Sequence, residues 1–337
     1  SQEGHAFWGH ESRGRLDKTM RKSRIATATV ALLTAVTLAA CGNGGNGGDN
    51  GTDGPASEAG SDLDLDAFNA IIEAGQVADD EVIAASEWAS AVKEAGVLRI
   101  GGTETSALFS MLNPIESKVV GFDAGIGQLL ATYILGEANT ELTQVAVDTR
   151  EQLIQSGDVN TTIATYSITP ARAEVISFAG PYYADRFSIL VAEDNSDITS
   201  VEDLAGKTVA TQANSTGETI LDEFAPEAEQ LPLPDHAQAV EAVKNGNADA
   251  YVINHGLLLN AALQEAGAVK VVGEPFGPAD LYGIGVPLDS DAVEFVNAFL
   301  NQIIDDGTWA ELWQVTIGDR TGVSEAPEPP VVGETGL

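Results

Sequence analysis

A two-lobed α/β protein is the fold class this sequence predicts, and three observations predict it. The first is a weak internal repeat. LIQSGDVNTTIATYS (153–167) and AVKNGNADAYVINHG (242–256) each read as a helix end, a glycine and then a strand. The offsets from glycine to Asn160 and from glycine to Asp249 match. The second is a pair of strand–turn–helix junctions of similar chemistry, one in each half. The third is size: a body of about 250 residues can enclose two small cores. In open α/β sheets ligands sit beyond the carboxyl ends of strands. The strand ends near Thr165 and Asn254 therefore become candidate ligand contacts.

The first junction is ATYSITPARAEVISFAGPYY, from Ala164 to Tyr183. Thr161 to Tyr166 is β-branched and apolar and reads as a buried strand. A helix follows, with Thr169 as N-cap and Pro170 at its first position. Val175 to Phe178 returns to strand character, and Gly-Pro-Tyr-Tyr closes the unit. A helix start suits an anion, Ser167 adds a hydroxyl, and Arg172 adds a planar fork that can hold a carboxylate by two parallel hydrogen bonds. The alternative for Arg172 is a surface pair with Glu174 or another acid.

That stretch resembles the signature of the polar amino-acid-binding family of solute-binding proteins, the extracytoplasmic receptors of ABC importers. The family pattern runs roughly ATYTITPER, then V-x-F-[SA]-x-PYY. The resemblance implies a periplasmic-binding-protein-like (type II) clamshell with two hinge crossovers. It also implies that Arg172 clamps a ligand α-carboxylate. Other segments fit the same family. GFDAGIGQLLATYILG (121–136) matches its Gly-Phe-Asp and helix, with Gly125 in place of a usual second acid. DGTWAELW matches its C-terminal helix, where Trp309 and Trp313 read as packing residues.

The second junction, LAGKTVATQANSTGETILDEF (204–224), reads as a strand from Thr208 to Gln212, a polar turn and a helix. Ser215 and Thr216 stand at the helix start, where hydroxyls and backbone N–H groups converge. The resemblance gives them contacts to the ligand carboxylate, with Asn214 in a usual glycine position. An ordinary capped helix is the alternative. The family's Asp that pairs with the ligand α-ammonium falls on Asn254, which brings no charge. Glu104, in the turn after the strand opened by Leu98-Arg99-Ile100, is the candidate to compensate. Phe109, Tyr166 and Tyr182 are candidates to pack on the ligand side chain. Arg186 is a candidate for a second carboxylate or a hinge ion pair. Arg150 and His255 are read as structural or incidental.

The segments divide as follows. Residues 1–19 read as an upstream extension that is not native, and Met20 as the natural start. Residues 20–40 have a basic stretch (Arg21, Lys22, Arg24) and an apolar run of signal-peptide length. They end Leu-Ala-Ala before Cys41, which resembles a lipoprotein cleavage box. Cys41, the only cysteine, is then the expected lipid attachment point and rules out an internal disulfide. Residues 41–62 are Gly-, Asn- and Asp-rich and read as a flexible tether. A helical segment at 63–96, with Ile83, Trp88, Ala91 and Val92 at helical spacing, packs on the body. Lobe 1 covers 97–190 and 281–316, lobe 2 covers 191–280, and 317–337 is expected to be disordered. Ser188 to Val191 is read as the outward crossover, and Gly277 to Val286 as the return.

The expected protein is a monomeric, membrane-tethered receptor working with an ABC permease. It takes a small polar amino acid, glutamate or glutamine by likeness, or a related carboxylate. A sensing receptor without transport and a dehydratase-like enzyme on the same scaffold are the alternatives. No His–acid pair, nucleophile motif or metal-ligand spacing is seen; no cofactor or metal is implied, and two of the four histidines, His5 and His10, precede Cys41. Charge argues against nucleic acid as a partner. The chain carries 16 basic and 51 acidic residues, net −35. From Cys41 onward there remain 10 basic and 48 acidic residues, net −38. Such self-repulsion suggests a saline habitat. Unfolding in molar salt should therefore occur at a clearly higher temperature than in dilute buffer. Equal melting temperatures in a salt titration would remove that reading.

Overall fold

In the computed structural model, residues 62–337 are described. The upstream extension, the signal segment, Cys41 and nearly all of the tether lie outside the described residues. The body opens with three short helices, Leu65–Glu73, Asp80–Ala84 and Glu87–Ala95. Asp64 and Ser86 cap the first and third by accepting from the amides of Ala67 and Ala89. Phe68, Ile72, Ile83, Trp88, Ala89 and Val92 are buried. Ala89 faces the core, whereas Ala91 is exposed, a small correction to the expected stripe.

The strands are β1 (Leu98–Gly102), β2 (Thr105–Ser106), β3 (Ser110–Asn113), β4 (Lys118–Val120), β5 (Thr140–Gln144), β6 (Thr161–Thr162), β7 (Ser177–Ala192), β8 (Thr208–Gln212), β9 (Glu229–Leu233), β10 (Ala250–Asn254) and β11 (Val269–Val286). Eight of them form one hydrogen-bonded order, β5-β1-β6-β11-β7-β10-β8-β9, and β2-β3-β4 form a small separate sheet. β1, β5 and β6 run parallel on one side, and β8, β9 and β10 run parallel on the other. The long strands β7 and β11 pair antiparallel between them. β7 pairs with β11 from Ser177 to Ala192; the far edge of β11 carries β6 at Gly285, and β7 also pairs with β10 from Phe187 onward. The result is the two-lobed clamshell that the sequence predicts. The change of partner falls near Asp185 and Asp280, which face each other in register. That is a few residues before the expected outward crossover.

Lobe 1 packs around the helix Phe122–Leu135, which is buried from Phe122 to Ile134. Its glycines let neighbours approach: a Cβ on Gly125 would stand 2.6 Å from Leu312 Cδ1, and one on Gly127 would stand 2.7 Å from Ile100 Cδ1. Lobe 2 has a core of Phe187, Ile189, Val191, Val209, Ile220 and Val252. Trp309 and Trp313 are buried as packing residues, and the Trp309 indole donates to the Tyr182 carbonyl at 2.8 Å. The C-terminal helix breaks at Asp306-Gly307, giving Ala292–Asp305 and Thr308–Trp313.

Two expectations are corrected. The strand expected over Thr161 to Tyr166 pairs only at Thr161–Thr162. Beyond it the chain turns, because Thr165 takes φ 45° and its N–H donates to the buried Asp123 carboxylate. The tail from 317 is not left loose. Residues 319–321 form a short helical turn, Ala326 and Val332 pack on the core, and the Gly333 N–H donates to the Gly180 carbonyl at 2.8 Å. A Pro- and Glu-rich segment has no periodicity to read, yet its few apolar residues can still dock in extended form. The packing at Gly125 yields a test. Gly125→Asp, which inserts the acid expected from the resemblance, should destabilise by about 2 kcal/mol or more, because Leu312 must move and a charge is buried. Urea unfolding reads this, and an unchanged midpoint would show that the site relaxes freely.

Candidate ligand site

All six parallel strands point their carboxyl ends at one gap. Thr103 follows β1, Gln144 ends β5, Thr165 follows β6, Gln212 ends β8, Pro234 follows β9 and Asn254 ends β10; each lines a single cavity of about 760 Å³. Both lobes contribute walls to it.

From lobe 1 comes Arg172. It sits in a one-turn helix, Pro170–Ala173, with Thr169 Oγ1 accepting from the Arg172 N–H at 3.3 Å. One turn is too short to develop much dipole, so the positive charge at this junction is that of the guanidinium and not of the helix end. Nη1 donates to the Ser167 carbonyl at 2.8 Å, and Nη2 to the Asn214 carbonyl across the gap at 3.4 Å. Nε lies 3.7 Å from Glu151 Oε1, whose carboxylate also accepts from the Tyr166 hydroxyl at 2.5 Å. The alternative pairing with Glu174 is not formed. Arg150 lines the same cavity. Its Nη1 donates to the Ala164 carbonyl, and its guanidinium lies 4.3 Å from the Tyr166 ring centre, with that of Arg172 at 5.2 Å. Burial and the neighbouring Arg172 draw Arg150 down to about 10, so Arg150 remains cationic at neutral pH.

From lobe 2 come Ser215 and Thr216. Ser215 caps the helix Thr216–Phe224 through the Gly217 N–H, and its hydroxyl donates to the Gln212 carbonyl at 2.7 Å. The turn before it depends on Asn214 at φ 61°, a conformation asparagine tolerates. Thr216 Oγ1 lies 3.3 Å from Ser167 Oγ, so the two junctions meet across the gap. Both hydroxyls also contact a group absent from the sequence reading, Asp280 on β11. Its Oδ2 accepts from Asn254 Nδ2 at 2.7 Å, Ser167 Oγ at 2.8 Å and Thr216 Oγ1 at 3.1 Å.

Of the residues expected at the ligand, Arg172, Ser167, Thr165, Ser215, Thr216 and Asn254 line the cavity together. Glu104, Phe109, Tyr182 and Arg186 do not. Glu104 lies in the turn between β1 and β2 and is half-buried outside the lining. Phe109 is buried against Tyr183 and Tyr282. Tyr182 is buried and donates to Asp123 at 2.8 Å. Arg186 donates twice to the Gly277 carbonyl at the crossover. Tyr166 carries the two arginines and is absent from the lining. Sequence reasoning missed Gln144, Gln212, Arg150 and His236 as lining residues. Gln144 and Gln212 stand at strand ends, where the general rule for α/β sheets places ligand contacts. His236 Nδ1 lies 3.0 Å from the Tyr251 hydroxyl, while Nε2 is buried without a partner, and burial lowers the ring to about 4, so it is neutral. His255 instead contacts Ser188 Oγ at 2.8 Å.

A model of the bacterial extracellular solute-binding proteins, family 3, matches residues 98–317. The chain belongs to that family. It is 28% identical over 320 residues to the glutamate-binding protein GluB of Corynebacterium efficiens, covering 91% of this chain and 95% of that protein. It is 33% identical over 270 residues to a glutamine-binding protein of Geobacillus stearothermophilus, covering 80% and 93% respectively. Among solved structures, an ancestral arginine-binding protein bound to glutamine superposes with a TM-score of 0.61 at 31% identity, over 66% of this chain and 98% of that one. Within this solute-binding protein, the match begins at β1 and ends just past the C-terminal helix, so the three leading helices and the tail flank it.

Three buried acids line the middle of the molecule: Asp123, Asp185 and Asp280. Burial raises Asp123 and Asp185 to about 6 against their hydrogen bonds, and raises Asp280 as well. A raised carboxyl binds its proton more tightly in the folded chain than in the unfolded one. The stability linked to it is complete below the unfolded value near 4 and is lost as pH rises through about 6. The unfolding free energy should therefore rise from pH 7 to pH 5 at fixed ionic strength, by up to ~1.4 kcal/mol per pH unit for each such group, and the melting temperature should rise with it. Asp123→Asn should flatten the slope. Calorimetric melting that is flat or falls over that interval would contradict the assignment.

Proposed function

We propose that this chain is the extracytoplasmic receptor of an ABC importer and captures a polar α-amino acid, glutamine or glutamate, between its lobes. One observation carries the reading. Arg172 from lobe 1 and Thr216 from lobe 2 come to the same cavity, at the carboxyl ends of both sets of strands. Its volume of about 760 Å³ lies in the range of small-molecule sites. The names of the glutamate- and glutamine-binding relatives favour those two ligands. Arg172 holds the ligand α-carboxylate, and Thr165 and Ser215 flank it. The Arg172 contact to Asn214 crosses the gap, so closure and carboxylate capture share one side chain. Closure excludes water and strengthens that ion pair.

In this reading Cys41 carries a lipid that holds the receptor at the outer membrane face, 42–62 give it reach, and a permease recognises the closed form. Membership of a solute-binding family supports binding over catalysis.

A thermal-shift screen of amino acids and small carboxylates should return glutamine or glutamate as the strongest stabiliser. Arg172→Ala should then lower affinity for that ligand by more than about 2 kcal/mol, because a buried carboxylate loses its partner. Unchanged affinity by titration calorimetry would remove Arg172 from the site.

A further inference from the structure

The β7–β11 ladder carries one irregularity inside lobe 1, apart from those at the lobe crossover. Its register steps from Tyr183 opposite Tyr282 to Ala179 opposite Ile284, so Gly180, Pro181 and Tyr182 of β7 stand against Gly283 alone. Such a bulge leaves backbone groups outside the ladder and lets a strand bend. Groups from elsewhere serve them. Asn297 Oδ1 accepts from the Gly180 N–H at 2.7 Å, and the Trp309 indole donates to the Tyr182 carbonyl at 2.8 Å. The Gly333 N–H donates to the Gly180 carbonyl at 2.8 Å. Asn297 and Trp309 lie within the family match at 98–317, and Gly333 lies beyond it.

The tail reaches this bulge as a fixed segment. Arg320 at its near end donates to the Ala107 carbonyl, and Ala326 and Val332 pack on the core. A Cβ on Gly336 would stand 4.0 Å from Leu281 Cδ1. Tied at its near end, the docked stretch meets Gly180 at high local concentration. At the same level, the other edge of β11 carries the ligand site. The Gly283 N–H donates to the Tyr166 carbonyl at 2.9 Å, and the Ile168 N–H to the Leu281 carbonyl at 2.8 Å. A Cβ on Gly283 would stand 2.8 Å from Ile168 Cγ1, so the two chains are in close contact. Between Tyr166 and Ile168 lies Ser167, which lines the cavity and accepts from Arg172 Nη1 at 2.8 Å through its carbonyl. Movement of the bulge is therefore movement of the segment that orients Arg172.

We propose that the tail from Ala326 to Gly336 is a brace for the ligand site: it holds the Gly180–Gly283 bulge and thereby keeps Ser167 and Arg172 set for the ligand. A ribbon with two weak places can bend at either. The register shifts that flank Phe276 lie where the lobes change over, and bending there moves lobe against lobe. Bending at Gly283 would instead distort the wall of lobe 1 that carries Arg172. The brace closes the second place and leaves the first free. Ligand affinity then depends on a segment that lines no part of the cavity. Gly333 is a positioning residue in this account. The affinity consequence rests on the receptor reading above, whereas the brace itself does not.

Gly333→Pro in the full chain tests it. Proline has no N–H to give Gly180, and its ring excludes the φ of 94° that Gly333 takes. Amide exchange on the ligand-free chain should speed up at Ile168 and Gly283 by at least about tenfold and stay unchanged in the β8–β9 ladder of lobe 2. Titration calorimetry with L-glutamine and L-glutamate should show the tighter of the two weakened by at least about fivefold. Val331→Ser, at a neighbour that is 62% exposed, should leave both readings as in the wild type. An equal effect from Val331→Ser would trace the change to the tail's composition and overturn the proposal. Faster exchange with wild-type affinity overturns the positioning role, and so does weaker binding with wild-type exchange at Ile168 and Gly283. Should Gly333→Pro not fold, Val332→Ser decides by the same two readings. If the wild type binds neither amino acid, the receptor reading falls for those ligands and exchange alone decides the brace: unchanged protection at Ile168 and Gly283 overturns it.

Discussion

The pairing of β7 with β11 is the constraint on which the rest of the structure depends. These two strands are long enough to belong to both lobes, and every other strand of the large sheet stands to one side of them or the other. Because they run antiparallel to each other and continue through the middle, the parallel strands of both lobes can end at a common gap. One of the three register shifts along β11 lies between Tyr282 and Ile284, and the other two flank Phe276, where the lobes change over. There the ladder is least regular and the buried acids Asp185 and Asp280 stand in register. Asp185 is held by the N–H groups of Gly256 and Arg186 and by the Tyr282 hydroxyl, and Asp280 by side chains that line the cavity. One acid thus secures the junction between the lobes, while the other ties it to the site.

Electrostatics sharpen that arrangement. In a strongly acidic protein, two guanidiniums over a single tyrosine ring make a rare positive spot. Arg150 and Arg172 share Tyr166, and among the described residues only Glu151 stands within ion-pair distance of either. The Tyr166 hydroxyl donates to that same Glu151, so ring, acid and arginine are held as one unit. An anion approaching a mostly negative surface would find its attraction concentrated here.

The local parts of this architecture were legible because local rules govern them. Thr169 and Pro170 begin a helix wherever the chain places them, and Ser215 caps through a backbone amide two residues on. Tryptophans four apart on a helix announce a packed face. The failures share one cause. Phe109, Tyr182 and Arg186 are the right residue types near the right segments, but a side chain's direction depends on what packs against it. Phe109 meets Tyr183 and Tyr282, Tyr182 meets Asp123, and Arg186 meets Gly277. Asp280 carried no signal at all, because its partners lie 26, 64 and 113 residues away in the chain.

The two-lobed class, the two junctions, the placement of Arg172 near a hydroxyl and the acidic surface were all readable along the chain. Periodicity, capping and composition act over a few residues and survive in any fold that the chain adopts. Tertiary structure alone decided which hydroxyls donate and which accept, which aromatic rings face the ligand cavity, and where the docked tail lies. Those outcomes follow from groups far apart in the chain arriving within 3 Å of one another, and no spacing along a sequence encodes that distance.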